Sequence, residues 1–368
     1  MSKAAELAAL IGSQTALSNR NLIINGAMNV AQRSTSVSNM GGTEGYKTLD
    51  RFNHTGGEGA GRFTSAQTAI NDLHGFLNCL HLDCTTADTS IAATELLVIE
   101  QRLEGQDLQQ LKKGTSSAES VTVSFYMKTN KAFTFMCGLN DYDNNRVNVQ
   151  QFTTSTSWTR HSLTFVGDTT GALTDDNGHS LSVEFYLHAG SNFTGGTYSA
   201  NTWQSRQSSD NMRAVGIGSF FDSTDNDVKL TGLQVELGEQ ATPFEHRSFA
   251  DELAKCQRYF QKSYAYGTDI GTFTAIGAMF NREDGSVSNR ACTVKFPVEM
   301  RDNTTTVVYS LSGTAAAVSD CTTGFSHNSV VTGSSFGGTD GPSGLAKLTL
   351  GTNTNDIVGF HYTADAEL

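Results

Sequence analysis

The feature that most constrains this chain is a period-two alternation of apolar and polar residues, repeated along most of its length. It is seen in Ser120-Val121-Thr122-Val123-Ser124-Phe125-Tyr126-Met127, in Ser162-Leu163-Thr164-Phe165-Val166 and in Leu181-Ser182-Val183-Glu184-Phe185-Tyr186-Leu187. Successive side chains of a strand point to opposite faces, so each segment reads as a strand with one buried face. Turn clusters lie between them at 141–145, 167–171 and 175–178, where Gly and Asn tolerate left-handed backbone and Asp bonds its own turn. Many short strands joined by tight turns predict an all-β chain built on a two-sheet sandwich. Composition agrees, with 36 Gly, 3 Pro and only 17% charged residues in 368. A coiled coil would need dense Glu, Lys and Leu at heptad spacing, and a collagen-like stalk Gly at every third position, so both are excluded. The length suits about two domains.

Helical patterns punctuate the strands. Residues 3–11 put Ala4, Leu7, Ala8 and Ile11 on one face, with Ser2 to cap the start and Gly12 to end it. Such a helix is shorter than the roughly 12–15 residues that persist in isolation, so it must dock, and Leu7, Leu10 and Ile11 are read as assembly contacts. Residues 104–112 read as a short helical turn on an edge. A longer helix is expected over 248–262, where Ser248 with Asp251 makes a capping-box-like start. Phe249, Leu253, Cys256 and Phe260 recur on one face of it, and Phe249, Leu253 and Phe260 are read as packing or assembly contacts. Further strands are expected at 292–296, 306–309, 345–350 and 356–360. The organisation is therefore an N-terminal attachment segment (1–20), a large β domain (21–245), a linking helix (246–264) and a smaller C-terminal β-sandwich (265–368).

Charge excludes one class of partner. With 25 Lys and Arg against 37 Asp and Glu the net charge is −12, and no basic cluster exists to release counterions from a phosphate backbone, so no nucleic-acid partner is expected. No apolar run is long enough to span a bilayer, and the first residues carry no cleavage-type export pattern. The cysteines Cys79, Cys84, Cys137, Cys256, Cys292 and Cys321 show no zinc spacing and are read as reduced, packed thiols, with a Cys79–Cys84 bridge as the alternative.

Candidate chemistry is sparse. Histidines are scattered singly, no Gly-x-Ser-x-Gly elbow stands in a strand–turn–helix context, and carboxylates show no convincing pairing, so the chain is not expected to be an enzyme. Asp141, Asp143, Asp222, Asp225 and Asp227 offer oxygen ligands at alternating spacing and are candidates for a structural calcium. The first pair fails as an EF-hand, because Arg146 stands where the sharp turn needs Gly and Phe152 where the bidentate Glu should be. Sugars stack their C–H faces on aromatic rings, and Tyr142, Tyr198 and Trp203 sit in polar loops; these are the glycan-binding candidates. Trp158, before a strand, is read as core; of Phe133, Phe135, Phe220 and Phe221, alternation places most in a core and leaves the remainder to a chain–chain interface. Tyr259, Tyr264 and Tyr266 are expected to bury between lobes or chains.

Several motifs, in order, resemble those of tail-fibre and virion structural proteins of tailed bacteriophages. They are Asn19-Arg20-Asn21-Leu22-Ile23-Ile24-Asn25-Gly26-Ala27-Met28-Asn29-Val30-Ala31-Gln32-Arg33, then Thr48-Leu49-Asp50-Arg51-Phe52, then Ile99-Glu100-Gln101-Arg102-Leu103-Glu104-Gly105. Thr231-Gly232-Leu233-Gln234-Val235-Glu236-Leu237-Gly238, Ala241-Thr242-Pro243-Phe244-Glu245 and Glu252-Leu253-Ala254-Lys255-Cys256-Gln257-Arg258-Tyr259-Phe260 follow. The resemblance implies a jelly-roll sandwich similar to carbohydrate-binding modules, a helix, and a distal β domain in a trimeric virion appendage. It implies a tail fibre or tail-tip subunit, made in the host cytoplasm, whose N-terminal helix and residues 21–33 attach to other virion proteins and whose loops meet a host surface glycan or other receptor. The alternatives are a head fibre or capsid decoration protein and, less favoured, a glycan-degrading virion enzyme.

Overall fold

The computed structural model describes residues 19–42, 45–57, 59–206, 213–282, 294–321, 330–332, 335–337, 347–349 and 357–368. The expected N-terminal helix, with Leu7, Leu10 and Ile11, and Cys292 lie outside the described residues. The chain divides into two compact units, one holding residues 35–249 with the preceding segment up to Ala31 and Leu368, the other holding Gln32–Ser34 and Ala250–Glu367.

The first unit is an all-β jelly-roll sandwich. Its strands are β1 (Ser36–Met40), β2 (Gly45–Tyr46), β3 (Asn53–Gly57), β4 (Arg62–Ala69), β5 (Asn78–Thr86), β6 (Leu96–Glu104), β7 (Val121–Thr129), β8 (Thr134–Asp141), β9 (Arg146–Thr153), β10 (Thr159–Phe165), β11 (His179–Ala189), β12 (Gln204–Ser205) and β13 (Asp227–Leu237). They form a six-stranded sheet in the order β1-β4-β5-β13-β7-β10 and a seven-stranded sheet in the order β12-β9-β8-β11-β6-β3-β2. The described pairings are antiparallel, and the chain passes back and forth between the sheets. The edge turn expected near 104–112 is a 3-10 helix at Gly105–Leu111.

Alternation explains the core. Val121, Val123, Phe125 and Met127 of β7 face Leu181, Val183, Phe185 and Leu187 of β11 in one buried cluster. Phe125 meets Phe185 and Phe152 across the sandwich edge-to-face, at 4.8 and 5.0 Å between centroids, a geometry that aligns ring edges with ring faces. All four of Phe133, Phe135, Phe220 and Phe221 join this cluster, where most were expected in a core and the remainder at an interface. At β13 the register shifts between Thr231 and Gln234. Gly232 permits it: its φ is +62°, and a Cβ there would stand 2.7 Å from the Phe76 ring.

Residues 19–31 are built into this unit. Leu22 N–H bonds Val235 O, Ile23 and Met28 are fully buried, and Asn25, in left-handed backbone, donates from Nδ2 to Val30 O and Asp50 O while its Oδ1 accepts from Val30 N. The segment expected to be an attachment surface is therefore largely structural interior, because its asparagines satisfy backbone groups that would otherwise be orphaned.

Helix α1 (Phe249–Gln257) leads the chain into the second unit. The helix is shorter than expected: Phe260 is not its last contact but the first residue of strand β14 (Phe260–Lys262), buried under the Arg33 guanidinium at 3.8 Å. Phe249 is exposed, Leu253 half-buried and Cys256 buried. Strands β15 (Met279–Arg282), β16 (Thr305–Ser310), β17 (Ala317–Asp320) and β18 (Val330–Thr332) follow, then the pair β19 (Ser335–Gly337) and β20 (Lys347–Thr349), and β21 (Ile357–Asp365). β21 is the hub, pairing with β14, β15, β16 and β17. Within the expected strand 292–296, the described residues Val294 and Phe296 are buried but not in a strand; they pack in the cluster of Val308, Phe360 and Tyr362. Tyr259 and Tyr264 are buried in this unit, Tyr264 stacked on His361 at 3.8 Å, while Tyr266 remains at the surface.

Candidate functional site

Strand β11 departs from the one-faced expectation. Its outward residues Ser180, Ser182, Glu184, Tyr186 and His188 are as buried as its inward ones. Two things cover them. Over one half of the outer face, Tyr186, Val98, Met136, Val147 and Val149 form a second apolar cluster with Phe193, Tyr198, Ala214 and Ile217 from the connection between β11 and β13. Over the other half lies a continuous polar network.

Glu100 on β6 and Glu184 on β11 stand directly opposite one another in register. Asn140 Nδ2 and Ser182 Oγ donate to Glu184 Oε1 at 2.7 and 2.8 Å, and Tyr186 OH donates to Oε2. Glu100 Oε1 accepts from Asn53, Thr55 and Arg102, the last at 2.6 and 2.9 Å. Burial and the Glu100 charge push the Glu184 carboxyl above the usual range. Burial would raise Glu100 as well, but the Arg102 charge and the bonds from Thr55 and Asn53 outweigh it and hold Glu100 low. Two adjacent carboxylates are thus separated in acidity by their partners.

Tyr142 marks the rim. Its ring lies 3.8 Å from His179 and 4.2 Å from the Arg206 guanidinium, and its hydroxyl reaches Glu184 at 3.4 Å. Burial, with the Glu184 and Glu100 charges, pushes the phenol up; burial, with the Arg102 charge, takes His179 down to about 4. Asn53 Oδ1, Asn140 Oδ1 and His179 Nε2 are buried without a hydrogen-bond partner. These atoms are shut off from solvent, and the network reaches the surface through the partly exposed Tyr142, His179 and Arg206.

The three aromatic glycan candidates are separated. Tyr142 is on this rim. Tyr198 lies in the apolar cover, with its hydroxyl accepting from Gln151 N at 2.7 Å. Trp203 packs on the edge of the main core, its indole donating to Val166 O at 2.7 Å and its ring 5.1 Å from Lys113 Nζ. Trp158 is half-exposed, not core: its indole donates to Asp72 at 2.8 Å, a polar anchor that holds the ring at the surface.

Three of the five calcium candidates, Asp141, Asp222 and Asp227, are engaged by cations of the chain itself. The Lys113 ammonium bonds Asp141, and lies 3.0 Å from Asp168, which also holds Arg146. An ammonium therefore occupies the position a cation at Asp141 would need. Asp143 accepts from Thr174 N, Asp222 pairs with Lys131, Asp227 pairs with Lys229, and Asp225 is exposed in its turn. Among the described residues no group of three or more His, Cys, Asp or Glu is arranged to hold a metal. Cys79, Cys84, Cys137, Cys256 and Cys321 are buried thiols in no disulfide, so the alternative Cys79–Cys84 bridge is not formed.

Sequence reading missed Glu100, Arg102, His179, Glu184 and Arg206. The available signal was a charged residue inside an apolar strand, as at Leu96-Leu97-Val98-Ile99-Glu100, which burial makes costly unless it is partnered. It also missed a buried relay: His188 joins Ser219 Oγ at 2.8 Å and Glu95 Oε2 at 3.1 Å. Ser219 Oγ also accepts from Phe221 N, so the relay pins the turn Phe220–Asp222 against β11.

No family model matches the chain, and no curated protein matches it. Solved structures do. The chain is similar to the family 11 carbohydrate-binding module from Clostridium thermocellum in complex with a β-1,3-1,4-mixed-linked tetrasaccharide, at 12% identity over 57% of this chain and 98% of that one, TM-score 0.27. It is similar to TmCBM61 in complex with β-1,4-galactotriose, at 8% identity over 60% and 100%, TM-score 0.31. It is also similar to the enzymatically active domain of tailspike protein 4 of bacteriophage CBA120, at 9% identity and TM-score 0.30, covering 60% of this chain but 22% of that one.

Proposed function

We propose that this chain is a glycan-recognising structural subunit of a tailed-bacteriophage virion, a tail fibre or tail-tip component, and not an enzyme. The observation that carries the glycan reading is the rim of the seven-stranded sheet, where the partly exposed Tyr142, Arg206 and His179 are held together above a buried polar network. Guanidinium, imidazole and phenol groups in fixed positions match the alternating donors and acceptors of a sugar's hydroxyls. The virion reading rests on the ordered motifs from Asn19 to Phe260. Several copies on one particle would multiply weak single-site binding through effective concentration, and a trimer is the assembly proposed.

The test is binding of fluorescently labelled protein to host cells before and after enzymatic removal of surface glycans, with Tyr142→Ala and Arg206→Ala beside the parent. Loss of labelling on glycan removal and a tenfold or greater loss in either variant supports the reading. Labelling indifferent to glycans overturns it. Antibody against the chain landing on particle heads would move the subunit from tail to head.

A further inference from the structure

A separate cavity of about 410 Å³ opens at one end of the first unit, between the Gly105–Leu111 helix with its following turn and the loop that carries Ala172 and Leu173. Its volume falls in the lower part of the roughly 300–1,000 Å³ range of small-molecule pockets. We propose that it is a second binding site, one that takes an uncharged saccharide unit of mono- or disaccharide size. The proposal rests on the glycan reading and names the ligand class of a site distinct from the Tyr142 rim.

The walls are preformed. Lys113, at the floor, is locked by Asp141, Asp168 and the carbonyls of Thr170 and Gly171. Gly114 has φ +81°, and a Cβ there would come within 2.5 Å of Ala172 N, so the two loops meet backbone to backbone. Gly114 N–H bonds Asp168 O at 2.8 Å, which fixes the approach. Little ordering entropy remains to be lost on binding.

The lining selects the chemistry. Leu108 and Leu173 close the floor from the core side, and the apolar surface open to a C–H face comes from the exposed Ala172 and the aliphatic stem of Lys112. Both amide hydrogens of Gln109 are used, on Gly105 O at 3.0 Å and Thr174 O at 2.9 Å, so Gln109 Oε1 is an acceptor. Lys112 Nζ gives one of its three donors to Glu119 at 2.6 Å and keeps two. A donor and an acceptor three positions apart on one lip suit neighbouring hydroxyls, each of which both gives and accepts. The charges balance through pairs: Lys112 with Glu119, and Lys113 and Arg146 with Asp141 and Asp168. A carboxylated or sulfated sugar would find both lysines already neutralised by carboxylates, in a chain of net charge −12.

The experiment is saturation-transfer NMR with equilibrium dialysis on the intact protein. The neutral probes are methyl α-glucoside, methyl β-galactoside and lactose, and sodium glucuronate is the charged probe. Ala172→Trp fills the cavity from an exposed position, and Lys112→Met removes the donor. Saturable binding of a neutral probe, weakened at least tenfold in both variants and unchanged in Tyr142→Ala, is the expected result. Binding that survives Ala172→Trp, or tighter binding of glucuronate than of every neutral probe, overturns the proposal. If no neutral probe binds while Tyr142-dependent labelling of cells persists, the cavity site falls and the glycan reading stands. If neither is seen, both fall. Unfolding of Ala172→Trp would pass the decision to Lys112→Met.

Discussion

Strands β10 and β11 follow one another in the chain and alternate in much the same way, yet their polar faces have opposite fates. β10 is the edge of the six-stranded sheet, and Arg160 and Ser162 point to solvent. β11 lies between β8 and β6 at the centre of the seven-stranded sheet, and Ser182, Glu184 and His188 are sealed from water. Polar residues on β10 are within reach of solvent, so the bonds Arg160 makes to Thr242 O and Ser124 Oγ add to hydration that is available anyway. Those on β11 need protein partners, and the network of Glu100, Asn140 and Tyr142 is what supplying them looks like. A polar position in a strand is therefore cheap at an edge and consequential at a covered centre.

The contrast between buried and wet polar groups can be broken most sharply at two lysines. Lys113→Met leaves Asp141 and Asp168 buried without their ammonium, and a loss of roughly 3–5 kcal/mol in urea unfolding is expected. Lys131→Met opens an exposed pair with Asp222 and should cost no more than about 1 kcal/mol. Equal losses would show that burial does not decide the matter.

Acid provides the next test. Burial takes His54 to about 4, and burial with the Arg102 charge does the same for His179. An unfolded histidine titrates near 6.5, so between 6.5 and 4 the unfolded chain binds protons that the folded chain refuses. Stability from these two groups is complete above about pH 6.5 and falls as the pH drops towards 4, by up to about 3 kcal/mol each. Urea midpoints at pH 7.5 and 5 measure the fall, and His179→Gln should flatten it; an unchanged slope in that variant removes His179 from the account.

A smaller difference separates the facing carboxyls. Glu100→Gln loses charge-assisted bonds to Arg102 and should cost about 2 kcal/mol, whereas Glu184→Gln, at a group already pushed towards its neutral form, should cost less than about 1 kcal/mol. Reversed magnitudes would mean that Glu184 is the member that carries the charge. The smallest expected effect returns to the two strands: Ser182→Ala, which removes a donor to Glu184, should cost about 1 kcal/mol, and Ser162→Ala on β10 no more than about 0.5 kcal/mol. Thermal unfolding of both variants resolves the pair.

Much of the fold was legible because strand periodicity is local. The segments around Val123, Phe165 and Val183 became β7, β10 and β11, and Phe133, Phe135, Phe220 and Phe221 went to the core. The site was far less legible. Tyr142, Tyr198 and Trp203 look alike in sequence, as aromatics in polar loops, but one stands on the rim, one seals an apolar cover and one packs the sandwich edge. The aspartates read as calcium ligands could not announce that Lys113, 28 residues before Asp141, would occupy the position. Phe260 continued a helical stripe in sequence but left the helix because pairing with β21 claimed it for a strand.

What the sequence by itself determined is whatever depends on neighbours along the chain: the alternating strands, the turns at Asn and Gly, the absence of a basic surface, and the all-β class. Only the tertiary structure decided which alternating strand would be central and doubly covered, and which polar side chains would meet. Glu100 and Glu184 are far apart in the chain and face each other through strand order alone. The cost of burying a charge depends on its three-dimensional surroundings, so the features that set the chemistry of this molecule came into being when the sheets formed.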